Sequence, residues 1–179
     1  MKTTEILIAG FGGQGILFSG KFLAYKGLVE ELQVSWLPSY GPEMRGGTAN
    51  CNVILSDTPV GSPIITTPNV LIAMNLPSLE KYVNAVAAGG QIYVDSSLID
   101  LKVERDDVEV FYIPATQMAK EEGIASLANM IVVGALLEHN PELSFDGVAE
   151  VVEKLVPPQK AALKALNMKA LQLGKEYKN

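Results

Sequence analysis

Of 179 residues, the chain has one cysteine, one histidine and one tryptophan. A lone cysteine, Cys51, cannot close an internal disulfide. One cysteine and one histidine cannot supply the nitrogen and sulfur ligands of a zinc site or an iron–sulfur cluster. Charge is scarce as well, at 19% of residues against the usual quarter or so. Basic residues are the scarcer sign, 14 against 20 acidic, for a net charge of -6. That balance lacks the basic footprint of a nucleic-acid-binding protein. Long apolar runs are missing too. Stretches such as Ile131–Leu137 fall far short of the roughly 20 residues a membrane span needs. The start, MKTTEILIAGFGGQG, has one lysine and a short apolar stretch that runs into glycines. A signal peptide would end in a small-residue cleavage site instead, so a cytoplasmic protein is expected.

What is present is apolar. Hydrophobic residues make up 48% of the chain, which excludes disorder. The length fits one domain over residues 1–179, at roughly 100–200 residues per domain. A domain of this size has limited interior, so surplus apolar surface points to a partner chain.

The order of elements is legible. Glu5–Ala9 (EILIA) is a short apolar run bounded by Gly10, as in a strand buried on both faces of a parallel sheet. A helix comes next, from Gln14 or Gly15 to about Glu31, then a strand at Gln33–Leu37, which makes a βαβ start. Pro38–Gly47 has no period and reads as a loop. Strands are expected at Thr48–Leu55, Val70–Met74, Ile92–Asp95 and Val108–Ile113. Asn75 is placed to cap a helix from Leu76 to about Ala88, with Gly89–Gly90 as its stop. Helices over Pro114–Glu122, Ser126–His139, Phe145–Leu155 (capped by Ser144) and Lys160–Tyr177 complete the chain. The pattern predicts one α/β, Rossmann-like domain. Its sheet is mostly parallel and twisted, flanked by helices, and the C-terminal segment is helical.

Two constellations carry chemistry. Gly10, Gly12, Gly13, Gln14 and Gly15 lie in a G-x-G-x-x-G run between a strand and a helix. There glycines permit a tight turn and the helix N-terminus offers free N–H groups to an anion. The carboxylate that holds a ribose at the end of the second strand is missing. That region reads Val34-Ser35-Trp36-Leu37-Pro38, while Glu30 and Glu31 come before the strand. A structural turn, an anion site and a partner contact stay open, with a dinucleotide the weakest reading. The second constellation is the loop with Ser39, Tyr40, Glu43, Arg45, Gly46 and Gly47, expected beside the glycine turn. Arg45 can hold a phosphate or carboxylate bidentately, or pair with Glu43. His139 reads as a helix-end cation and Cys51 as a small buried residue. Asp95-Ser96-Ser97 reads as a crevice wall or a turn, and Asn129 as a partner for buried backbone.

The same stretches carry a resemblance. GFGGQGILFSGKFLA (Gly10–Ala24), WLPSYGPEMRGGTANCNVILSD (Trp36–Asp57), VGSP (Val60–Pro63) and LIAMNLPSL (Leu71–Leu79) resemble the gamma subunit of 2-oxoacid:ferredoxin oxidoreductases. IPATQMAKEEG, ANMIVVGALL and LNMKALQLG extend the resemblance over nearly the whole chain. Within the family it is most similar to the 2-oxoglutarate version; the branched-chain 2-oxoacid and pyruvate versions are close relatives. The resemblance implies a non-catalytic subunit. Thiamine diphosphate and magnesium would sit on alpha and beta subunits, iron–sulfur clusters on other chains including a ferredoxin-like delta subunit. Coenzyme A would be the co-substrate and ferredoxin the electron acceptor. No nucleic acid or membrane partner is expected. A chain expressed alone is expected to form homodimers by covering its partner face. A free-standing nucleotide- or anion-binding protein is the alternative.

Overall fold

A computed structural model describes residues 2–39 and 48–178. Its sheet has six strands: β1 (Thr3–Phe11), β2 (Gln33–Ser39), β3 (Thr48–Ser56), β4 (Val70–Ala73), β5 (Gln91–Asp95) and β6 (Glu109–Ile113), in the order β2-β3-β1-β4-β5-β6. β1, β4, β5 and β6 pair in parallel. β3 runs antiparallel to both of its neighbours. Five strands therefore share one direction, as expected, and β3 makes the sheet mixed. The physical reason is the short connection from β2, which returns the chain alongside itself without a crossover. β3 thus separates the two strands of the βαβ start.

The six α-helices are α1 (Ile16–Val29), α2 (Leu76–Tyr82), α3 (Ala115–Glu121), α4 (Ala128–His139), α5 (Val148–Leu155) and α6 (Ala161–Glu176). The strands separate two cores by their alternation. Ile6 and Ile8 of β1 and Cys51, Val53 and Leu55 of β3 face the larger one, with α1, α4, α5 and α6. Leu7, Leu71, Ile92 and Val94 face the smaller one, with Leu79 of α2. α4 is apolar on nearly every side, Asn129 apart, and Ala128 to Leu137 is buried throughout. α6 lies against its side and shields it.

Two helix boundaries differ from the sequence expectation. α2 stops at Tyr82 and gives way to a 3-10 turn over Val83–Ala85. Arg105 accounts for the stop: its Nη1 donates to the carbonyls of Val83 (2.9 Å) and Val86 (2.8 Å). Those carbonyls would otherwise need a continuing helix. Asp107 holds the rest of the guanidinium at 2.6 and 2.8 Å, and this pairing keeps its carboxyl below the usual range. Asn75 does cap α2, accepting from the Ser78 N–H at 2.9 Å. Ser144 does not cap α5. The helix begins after Gly147, whose φ of 72° suits glycine, and the Ser144 hydroxyl donates to Glu30.

α1 carries a buried charge that the sequence pattern did not mark. Lys26 is fully buried and pairs with Glu30 one turn on. Glu30 also accepts from Ser144 at 3.0 Å. Breaking a buried pair costs far more than the pair contributes. Glu30→Ala is expected to cost about 3 kcal/mol, read as a lower urea midpoint. Lys26→Met together with Glu30→Leu should recover most of that loss.

Candidate functional site

The site is built at the edge of the sheet where the parallel strands end. β1 ends at Phe11, and the chain turns through Gly12 to Gly15 into α1. Gly15 sits at the N-cap in left-handed backbone, φ 76°. A side chain there would also meet the Asn129 carboxamide at 2.5 Å. Asn129, at the start of α4, donates to the Gly15 carbonyl at 3.1 Å and the Ser19 hydroxyl at 2.9 Å. It thus satisfies buried backbone, as read from the sequence.

Gln14 closes the turn on itself. Its Oε1 accepts from the Phe11 N–H at 2.7 Å, and its Nε2 donates to the Met74 carbonyl at 2.8 Å. The carboxamide lies over Gly10, where a Cβ would come within 2.7 Å of Oε1. One amide that a phosphate cradle would offer is therefore spent internally. The bridge from Phe11 to Met74 ties the ends of β1 and β4 together. Gln14→Ala should cost about 1–2 kcal/mol, measured by urea denaturation.

The second constellation enters through its anchors. Ser39 ends β2 opposite Asn50, and Thr48 re-enters the sheet opposite Phe11. The two ends of the connection therefore stand at the same edge as the glycine turn. Tyr40, Glu43, Arg45, Gly46 and Gly47 lie outside the described residues.

Around this edge runs a row of exposed apolar side chains. Phe11 is 39% exposed, Leu76 38% and Leu98 49%. They stand at or just beyond the ends of β1, β4 and β5, three adjacent strands. Sequence reasoning missed them individually; surplus apolar composition was the one available signal. Beside Leu98, Asp95 is fully buried. It accepts from the Thr116 hydroxyl at 2.6 Å and the Ser97 N–H at 3.1 Å. The Asp95-Ser96-Ser97 stretch is thus a hydrogen-bonded turn that seats α3.

The remaining reactive groups stand apart. Cys51 is buried, with the Trp36 indole hydrogen-bonded to it; burial pushes its thiol up to about 12. It should resist thiol reagents at pH 8 in the native chain and react once urea unfolds it, which an Ellman titration reads directly. An unfolded thiol ionises near its ordinary 9.0. Cys51 therefore adds stability below that pH and loses it as pH rises toward 12. His139 ends α4 and stacks on Phe111, ring centroids 4.7 Å apart. Among the described residues, no three His, Cys, Asp or Glu side chains are placed to hold a metal ion. None of the described helices is long and apolar enough to cross a membrane.

Residues 5–177 match the family model "Pyruvate ferredoxin/flavodoxin oxidoreductase". The chain belongs to that family. The 2-oxoglutarate synthase subunit KorC of Methanothermobacter marburgensis is 36% identical over 179 residues, covering 96% of this chain and 95% of that one. The gamma subunit of a keto/oxoacid ferredoxin oxidoreductase from Geobacter sulfurreducens superposes with a TM-score of 0.82. It is 30% identical and covers 97% of this chain and 96% of that one. A 2-oxoglutarate:ferredoxin oxidoreductase from Magnetococcus marinus, with 2-oxoglutarate, coenzyme A and succinyl-CoA bound, gives a TM-score of 0.86 at 28% identity. Here the match covers 98% of this chain and 31% of that one. The chain also spans 28% and 36% of the length of two longer relatives, the ketoisovalerate oxidoreductase VorA subunits.

Proposed function

We propose that this chain is the gamma subunit of a 2-oxoacid:ferredoxin oxidoreductase complex. The observation that carries this reading is the match to the subunit KorC, which covers 96% of this chain and 95% of that one. The complex would oxidatively decarboxylate a 2-oxoacid, with 2-oxoglutarate as the preferred substrate. It would transfer the acyl group to coenzyme A, release carbon dioxide and pass electrons to ferredoxin. Thiamine diphosphate, magnesium and iron–sulfur clusters would be held by the alpha, beta and delta chains, since those groups carry the chemistry. In this reading the glycine turn, Ser39 and the Tyr40–Gly47 connection would form one face with Phe11, Leu76 and Leu98. The apolar row supports a packing role. Arg45 is the side chain that would meet an anionic group such as those of coenzyme A.

Two measurements on the reconstituted complex test this. A panel of 2-oxoacids with viologen as acceptor should give the highest kcat/KM for 2-oxoglutarate; a preference for pyruvate or ketoisovalerate would reassign the substrate. Arg45→Ala should raise the KM for coenzyme A about ten-fold, the loss of one charge-assisted contact. Unchanged coenzyme A dependence in a fully assembled complex would remove Arg45 from that role.

A further inference from the structure

The sheet has two outer strands, β2 and β6, and they are finished differently. β6 is short and guarded. It opens on the exposed Glu109, just after Asp106 and Asp107. Each of its faces has a cover. Lys102 lies over the Tyr112 ring at 3.8 Å on one, and His139 stacks on Phe111 on the other.

β2 has none of these covers. Its seven residues, Gln33–Ser39 (QVSWLPS), carry no charge. Its register with β3 runs without a bulge, from Gln33 opposite Ser56 to Ser39 opposite Asn50. Trp36 and Leu37, neighbours that point to opposite faces, are 39% and 37% exposed. An open row of backbone N–H and C=O groups pairs readily with another strand. Natural sheets therefore blunt long outer strands with charge, bulges, proline or a covering segment. Of these devices β2 has Pro38 alone among the described residues.

We infer that β2 is the docking edge for a second copy of this chain, the two β2 strands pairing antiparallel about a two-fold axis. Exposure on both faces of one strand requires another strand, because a helix would cover only one face. A second copy offers two outer strands. Its β6 is already covered, and a β2-to-β6 contact would be head-to-tail, leaving an open strand at each end for further copies. Pairing β2 with β2 closes. Charge agrees with this choice. Each copy carries a net charge of -6, and the uncharged strand lets two like-charged molecules meet without a carboxylate at the seam. Trp36 is the middle residue of the strand. The register that pairs both strands in full therefore sets Trp36 against its own counterpart, with Leu37 opposite Ser35. Aromatic pairs across neighbouring strands are among the favourable ones. One strand pair with a tryptophan and a leucine from each copy is a small interface, so association is weak, with a Kd of about 10–100 μM. The seam runs along the side of the sheet, whereas the proposed partner face lies across the strand ends.

Sedimentation velocity of the full chain from about 1 to 500 μM should show monomer giving way to dimer. Trp36 is the sole tryptophan, so its emission should move to shorter wavelength over the same concentrations, as water leaves the indole. Leu37→Lys adds the charge that outer strands usually carry and should raise the Kd at least about ten-fold. Phe11→Glu, on the partner face, should leave the Kd unchanged. A chain that stays monomeric, or one that grows past the dimer, would overturn the inference. So would a dimer that forms with no change in Trp36 emission, or one lost in Phe11→Glu and kept in Leu37→Lys, which would place the contact on the partner face. The wild-type emission decides the matter even if Leu37→Lys folds poorly.

Discussion

Gly134→Ala is expected to destabilise the chain by about 2–3 kcal/mol, although alanine is the better helix former by about 1 kcal/mol. The sign is decided at the crossing of α4 and α6. A Cβ at Gly134 would come within 2.1 Å of the Leu171 carbonyl oxygen. A Cβ at Gly174 would come within 1.8 Å of the Ile131 oxygen. The two glycines therefore let each helix backbone approach the other, and neither neighbour is a flexible side chain that could step aside. Gly134 is mid-helix and α4 is buried, so the clash can be relieved only by moving α6 outward. Gly174 is in the last turn of α6, where fraying offers relief, and Gly174→Ala should cost less, about 1–2 kcal/mol. One outward shift serves both clashes, so the double variant should lose less than the two losses added together. Urea denaturation of the four chains measures this cycle. A higher urea midpoint for Gly134→Ala would mean that propensity dominates and that the helices are not in close contact.

The second large effect concerns assembly. Phe11→Glu and Leu76→Glu should each leave the chain folded, because both side chains are more than a third exposed. Each should weaken association with partner chains at least about 30-fold, the cost of burying a charge at a core position of an interface. Circular dichroism reads the fold, and co-purification with co-expressed alpha and beta chains reads the assembly. Leu28→Glu is the control. At 57% it is more exposed than Phe11 but lies in the last turn of α1, at the far end of that helix from the glycine turn, and it should assemble normally.

How much of this was written in the sequence depends on the range of the interaction. EILIA and the apolar run from Val70 announce central strands, because a strand buried on both faces has no alternation to obscure it. The apolar stretch of α4 and the cap at Asn75 are equally local, and both are found. The context of the glycine turn, strand before and helix after, was legible too. Its internal closure was not: Gln14 reaches a carbonyl 60 residues away, and no spacing rule marks such a bond. The same holds for α2, shortened by Arg105 from beyond β5, and for Ser144, drawn from its cap to Glu30 114 residues earlier. The insertion of β3 between β1 and β2 depends on strand pairing across the sheet, which a residue pattern within one strand does not encode. Gly134 and Gly174 look like helix weaknesses in sequence and become necessary only when α6 is laid on α4.

The central claim is that this chain works as one subunit of a larger oxidoreductase. Capture of the tagged chain from its native lysate under anaerobic conditions tests that claim most directly, with mass spectrometry of the co-purifying proteins and a 2-oxoacid-dependent viologen assay. Thiamine-dependent and iron–sulfur chains are expected to co-purify, and 2-oxoglutarate with coenzyme A is expected to reduce the dye. A chain recovered alone, carrying a nucleotide and giving no 2-oxoacid-dependent reduction, would contradict the claim.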